Sequence, residues 1–276
     1  MDTEISVIIP NYNNDEYLVE CLDSVLNQTL KPREIIVADD ASTDDSARII
    51  DYYKDKYDVV RGIYREENQG VSKNRDLAIR EAKGKYITML DSDDYYYNKE
   101  KLESELNLIR SKQEKEGDVI AYSNKIKINV DTGEVIREMD ELKICEGDIL
   151  FPIITRTCAV PRDFVLPKKQ YFKVGGYDSR FPMYEDWDLK IRLAKNCKFY
   201  YTGVEGTAHR IHDKGLSQAD PKTHFQIMKK VFQKNIHLLS LSLRWLAFFT
   251  FYKELSKRKL GDIVQNYPIL RSLMHR

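Results

Sequence analysis

Tyr86-Ile87-Thr88-Met89-Leu90-Asp91-Ser92-Asp93-Asp94 changes character in a single step. Its first five residues are apolar or β-branched, as a buried strand requires, and three carboxylates then fall within four residues. Two earlier runs do the same. Residues 5–9 run into Pro10-Asn11-Tyr12-Asn13-Asn14, and residues 34–38 run into Asp39-Asp40-Ala41-Ser42. In chain order a third strand is read at 59–64, which makes the one ending at Leu90 the fourth. Between the first two runs, Tyr17, Cys21 and Val25 with Leu18, Leu22 and Leu26 recur at helical spacing, and Asn13 followed by Glu16 predicts a capping box. Further helices are expected at about 45–56, 72–82 and 99–116. Short strands alternating with amphipathic helices predict an α/β fold: a Rossmann-like, mostly parallel sheet flanked by helices.

The texture then shifts. A strand at 119–123 is followed by residues 125–130 and 134–137 around Asp131-Thr132-Gly133, a turn sequence that predicts a hairpin and hence a mixed sheet. Residues 140–182 read as loops around short strands, before a helix at 185–194 and a strand at 199–201. From Lys222 the chain is helical in character, which suggests a main domain over 1–221 and a C-terminal helical extension over 222–276. Within that extension, residues 236–252 are rich in Leu, Phe and Trp, yet hold His237 and Arg244 and are short for a membrane span. Such a helix either packs on the domain or lies in a membrane interface, and Lys253, Lys257, Arg258 and Lys259 keep peripheral membrane contact through 236–259 open.

Composition narrows the partners. With 44 Lys+Arg against 44 Asp+Glu, no global field favours nucleic acid or anionic lipid, so charged ligands must be held locally. Cys21, Cys145, Cys158 and Cys197 contain no Cys-x-x-Cys pair, which argues for buried reduced thiols over a disulfide framework or zinc ribbon. The acidic start, Met1-Asp2-Thr3-Glu4, carries neither a basic n-region nor an apolar h-region, and the expectation is a cytoplasmic protein.

In an open parallel sheet, ligands bind beyond the carboxyl ends of the strands, which is where the three polar clusters converge. Asp or Ser after a strand often only caps the next helix, and that reading covers Asp40 or Ser42; it does not cover Asp91, Asp93 and Asp94 together. Five carboxylates on one rim repel unless a cation or hydrogen-bond donors compensate, so an oxygen-loving Mg²⁺ or Mn²⁺ is expected. No Gly-x-Gly-x-x-Gly follows the first strand and no Gly-x-x-x-x-Gly-Lys-Ser/Thr occurs. Phosphate must therefore be held by metal and side chains, which points to a diphosphate bridged by a cation.

The ordered set of Pro10-Asn11-Tyr12-Asn13, Asp39-Asp40-Ala41-Ser42-Thr43-Asp44, Asn68-Gln69-Gly70-Val71-Ser72 with Arg75, Asp91-Ser92-Asp93-Asp94, Gly175-Gly176-Tyr177-Asp178, Glu185-Asp186-Trp187-Asp188-Leu189 and Arg210-Ile211-His212 resembles the family 2 glycosyltransferases of GT-A fold, of the bacterial surface-polysaccharide type. It spans most of the first 215 residues. The resemblance implies an inverting transferase using a nucleotide-sugar donor, most often a UDP-sugar, with Mn²⁺ or Mg²⁺, and a glycan or lipid-linked saccharide acceptor. By similarity Asp39 and Arg75 help read the base, Pro10, Asn11 and Tyr12 line the nucleoside pocket, Asp91 touches ribose or sugar, and Asp93 ligates the metal. His212 is a further metal or phosphate ligand. Where many members carry Ala-Ala-Arg-Asn-x-Gly, this chain has Lys73-Asn74-Arg75-Asp76-Leu77-Ala78, a more charged setting.

Displacement at an anomeric carbon also needs a base to take the acceptor proton. Asp186 is the candidate: beside Glu185 at a helix start, neighbouring carboxylates and a dry cleft are expected to raise its proton affinity. The plainer reading is that both acids favour the helix N-terminus. Glu185 and Trp187 are placed on the acceptor side, with Trp187 either stacking on a sugar or packing the helix. Two rivals stand beside this: a catalytically silent GT-A-like module that binds glycans or a partner, and a haloacid-dehalogenase-type phosphatase using Asp91-Ser92-Asp93. The first needs neither base nor metal ligand. The second places its nucleophile on a first strand, whereas Asp91 ends the fourth.

Overall fold

The computed structural model describes residues 4–136, 144–211 and 220–266, with side chains through residue 256. β1 (Ile5–Asn11), β2 (Glu34–Asp39), β3 (Val60–Tyr64) and β4 (Tyr86–Met89) form a parallel sheet in the order β3-β2-β1-β4, and the short β8 (Leu166–Pro167) closes it antiparallel to β4. Helices α1 (Asp15–Leu26), α2 (Ser46–Lys56) and α3 (Val71–Glu81) make the crossovers. Strand alternation sorts the core into two layers: Ile5, Val7, Ile9, Ile35 and Val37 join Leu18, Leu22 and Val25 of α1, whereas Ile8, Ile36 and Ala38 join Ala78 and Ile79 of α3. The central pairing sets Asn11 opposite Asp39 and Ile8 opposite Met89, so the three strand ends reach one rim.

A second sheet runs β5-β9-β6-β7, from β5 (Tyr95–Tyr96), β6 (Val119–Asn129), β7 (Val135–Ile136) and β9 (Lys198–Ile211), with α4 (Lys101–Glu116) leading into β6. The hairpin at Asp131-Thr132-Gly133 forms, pairing Ile128 with Val135. β6 joins the expected strand at 119–123 to the hairpin strand read at 125–130, and β9 is much longer than the expected 199–201. They pair with each other in parallel as far as Asn129 and Ile211, and such non-local pairing has no signal in either segment read alone. Gly206 allows the close approach: a Cβ there would lie 2.6 Å from Ser123 Cβ.

The remaining helices are α5 (Leu150–Thr155), α6 (Lys168–Lys173), α7 (Glu185–Ala194), α8 (Pro221–Asn235) and α9 (Leu241–Asn266). α8 and α9 share a core with the first sheet through Val231, Phe232, Ala247, Phe251 and Leu255. Phe232 and Phe251 stack at 4.2 Å between centroids, and Trp187 lies parallel to Phe251 at 6.2 Å. All four cysteines are free, and Cys145 is half-buried where full burial was expected. No helix among the described residues is long and apolar enough to cross a membrane.

Candidate active site

The loops at the rim are tied by side chains rather than by helix caps. The expected capping box does not form: Asn13 Oδ1 accepts from the Thr43 amide (2.8 Å), while Asn14, at the N-cap, donates from Nδ2 to Ser92 Oγ (2.9 Å). These bonds stitch the β1 exit to the β2 and β4 exits. Ser42 and Asp40 are not caps either. Ser42 donates to Asp39 Oδ1 (2.5 Å), and Asp40 accepts the amides of Gln69 (3.1 Å) and Gly70 (2.8 Å), pinning the loop before α3. Asp39 also accepts from Asn11 Nδ2 (2.7 Å). Pro10 and Asn11 are buried at this corner, and Tyr12 projects into solvent. Asn13 and Ala41 hold positive φ here (52° and 63°), a conformation that costs energy in a non-glycine residue and concentrates at functional sites.

Arg75 is placed differently from expectation. It is 2% exposed and spans Asp91 (Nη2 to Oδ1, 2.5 Å) and Glu185 (Nη1 to Oε1, 2.6 Å), so it is a buried bridge rather than a group presented at the rim to read a base. Two interior carboxylates can satisfy both arms of its guanidinium, which the rim cannot. Glu185 is correspondingly committed to this bridge instead of facing an acceptor. Sequence reading missed Arg162, which pairs with the other oxygen of Asp91 and stays partly exposed. A single arginine between Pro161 and Asp163 in a loop carries no periodic signal. Burial would raise the Asp91 pKa, but Arg162 and Arg75 together bring it to about 2.

Asp94 is buried, accepting the Arg210 amide (3.1 Å) and lying 3.1 Å from His209 Nδ1. Arg210 lies between the rings of Tyr17 and Tyr95 and donates to the Asp93 carbonyl (2.7 Å), with Glu20 on its other arm. Asp39, Asp40, Asp91 and Asp94 are thus compensated by donors, which removes repulsion alone as a reason to invoke a cation. The donor set itself still fits one. One oxygen each from Asp91, Asp93 and Asp94 lies within 4.8 Å of the others, a hard all-oxygen group suited to Mg²⁺ or Mn²⁺. His212 lies outside the described residues.

Asp186 sits in the first turn of α7, which the chain enters through Tyr184 at φ 63°. The expectation that its neighbours raise its proton affinity is overturned. Burial does push that way, but Lys190, whose Nζ meets Oδ2 at 2.8 Å, with Arg162 and Arg75, holds the carboxyl well below the usual range. Trp187 is corrected too: it is 4% exposed, donates from Nε1 to the Ile153 carbonyl (2.7 Å), and packs α7 against α9 rather than facing a sugar. The described geometry therefore joins the end of β4 to the start of α7 through Arg75.

A family model described as glycosyl transferase family 2 matches residues 6–172, more than half of the chain. The chain belongs to glycosyltransferase family 2. Relatives include an uncharacterised glycosyltransferase of Rickettsia felis, 34% identical over 70% of this chain and 30% of its own length. Glycosyltransferase GlyG of Streptococcus pneumoniae is 41% identical over 44% of this chain and 38% of its own. The family 2 chain described here thus spans about a third of these relatives. A poly(ribitol-phosphate) beta-glucosyltransferase of Bacillus spizizenii is 48% identical over 33% of this chain and 15% of its own. Among solved structures, S. aureus TarS residues 1–349 in complex with UDP-GlcNAc superposes with a TM-score of 0.72 at 21% identity, covering 91% of this chain and 72% of that one. The fold is that of the GT-A glycosyltransferases.

Proposed function

We propose that this family 2 chain is an inverting transferase that moves a sugar from a nucleotide-diphosphate donor of the UDP class to a hydroxyl of a glycan or lipid-linked acceptor in surface-polysaccharide assembly. The observation that carries the reading is the Asp91, Asp93 and Asp94 group on a strand-end rim, joined by Arg75 to Glu185 at the start of the helix that carries Asp186. The UDP and UDP-GlcNAc in the TarS structures and the name of the Bacillus relative support the donor class and the surface-glycan setting.

In this reading Pro10, Asn11 and Tyr12 form the nucleoside wall beside Asp39. Asp93, with Asp91 or Asp94, would hold Mn²⁺ or Mg²⁺, and His212 would be a further ligand. A cation bound there supplies charge neutralisation for a leaving diphosphate. The partly exposed guanidinium of Arg162 adds a fixed positive charge on the same side. Asp186 accepts the acceptor hydroxyl's proton as that oxygen bonds the anomeric carbon from the face opposite the leaving group. The carbon–oxygen bond to the diphosphate breaks with its electron pair, which inverts the centre. Because the Lys190 contact keeps Asp186 ionised, it is ready as a base at neutral pH and gains the proton only as the attacking oxygen turns acidic. Residues 1–221 would carry this chemistry and 222–276 would form the extension, in the cytoplasm.

UDP release from a panel of UDP-sugars with Mn²⁺ tests the assignment. Asp186→Asn is expected to lower turnover by about 10²–10⁴-fold while UDP still binds. Full turnover in that variant would remove Asp186 from the role.

A further inference from the structure

α9 has two apolar faces, and only one is used. Ala247, Phe251 and Leu255 are buried against the core. Along a different, exposed side of its first turns, Leu241 (75% exposed), Trp245 (73%) and Phe249 (66%) follow one another at four-residue spacing, flanked by Leu246 and Phe248. Monomeric proteins rarely leave so contiguous an apolar row in water, and such rows mark protein or membrane contacts.

The charge pattern chooses between these. From Ile236 to Lys253 there is no Asp or Glu, in a chain whose overall formal charge is zero. The apolar row gives way to exposed Lys253, and Lys257, Arg258 and Lys259 follow in sequence. Arg244 is anchored to the His237 and Leu239 carbonyls at the start of the helix. Aromatic and leucine side chains on one face with the exposed Lys253 after them suit an anionic bilayer surface, where the rings would enter the headgroup boundary and Lys253 would meet lipid phosphates. The inward face keeps α9 docked, so the outward row lies along the protein surface. We infer that the first turns of α9 form an interfacial docking surface for an anionic lipid bilayer, with Trp245 and Phe249 as the inserted side chains. The inference goes beyond the donor reading and is independent of it.

Sedimentation of the full chain with large vesicles tests it, comparing equal phosphatidylglycerol and phosphatidylcholine with phosphatidylcholine alone, in the absence of nucleotide and metal. The chain contains two tryptophans and Trp187 is buried, so a blue shift of emission reports Trp245. Co-sedimentation with the phosphatidylglycerol vesicles and a blue shift are expected. Partitioning should fall by about tenfold or more in Trp245→Glu/Phe249→Glu, and by less in Lys253→Glu. Because the substituted side chains are exposed, the double variant keeps its melting temperature and its UDP binding. The inference is overturned if the chain ignores both vesicle types, or if the double variant binds as well as the wild type. An oligomer in lipid-free solution that the double variant dissociates, without vesicle binding, would assign the face to a second copy and overturn it equally.

Discussion

Arg75 shows how one residue can organise a site without being offered to a ligand. Its guanidinium is buried between Asp91, which Arg162 also pairs, and Glu185, so it holds two acids from segments far apart in sequence. Removing one partner of such a group typically costs about 3–5 kcal/mol, since the desolvation of the others is no longer offset. Arg75→Met should therefore lower the urea unfolding free energy by about that amount, and a loss under about 1 kcal/mol would show that the bridge is unimportant to the fold. The same side chain illustrates what a sequence motif conveys. The ordered motifs assigned Arg75 to the base, Asp91 to ribose or sugar and Glu185 to the acceptor side of one site. They did not tell that the arginine would be consumed by the acids, because its burial is decided by packing between segments more than a hundred residues apart. Trp187 is a parallel case: the residue was legible, but the choice between a sugar and a helix depended on where Phe251 would land.

At the level of elements, α4, β6 and the loop carrying Arg162 are held by a buried polar knot. Lys101 donates to both oxygens of Glu105 (2.8 and 2.9 Å) and to the Asp163 carbonyl (2.7 Å), and Ser123 donates to Glu105 (2.6 Å). Burial raises the Glu105 pKa from 4.5 to about 7, even against Lys101. A carboxyl whose folded pKa is raised binds its proton more tightly in the native state. Its contribution is complete below about pH 4.5 and is lost as pH rises through 7. The urea unfolding free energy should fall between pH 5 and pH 8, by on the order of 3 kcal/mol at most, and Glu105→Gln should flatten the slope. An unchanged slope in that variant would place the titration elsewhere. Strand and helix identity over residues 5–116, apart from the two-residue β5, was legible because periods of two and 3.6 are local properties. The continuity of β6 and the length of β9 were not, since each is stabilised by the other. The capping box at Asn13 failed because both asparagines found partners across the rim, a tertiary competition that no local pattern records.

For the molecule as a whole, zero net charge conceals a sharp internal division. Acidic groups gather at the strand-end rim, where arginines and backbone amides compensate all but part of their charge, while the outward face of α9 carries apolar and basic side chains without acids until Glu254. The family 2 fold explains the rim, and the central claim is that this rim binds a metal-bridged nucleoside diphosphate through Asp93. Calorimetric titration of UDP, GDP and dTDP, with and without Mn²⁺, tests it most directly when run on wild type, Asp93→Ala and Asp186→Asn. The account predicts UDP binding that requires Mn²⁺, falls about tenfold or more in Asp93→Ala, and persists in Asp186→Asn. Binding of UDP that is equally tight without metal or in Asp93→Ala, or no binding of any nucleotide by the folded chain, would contradict it.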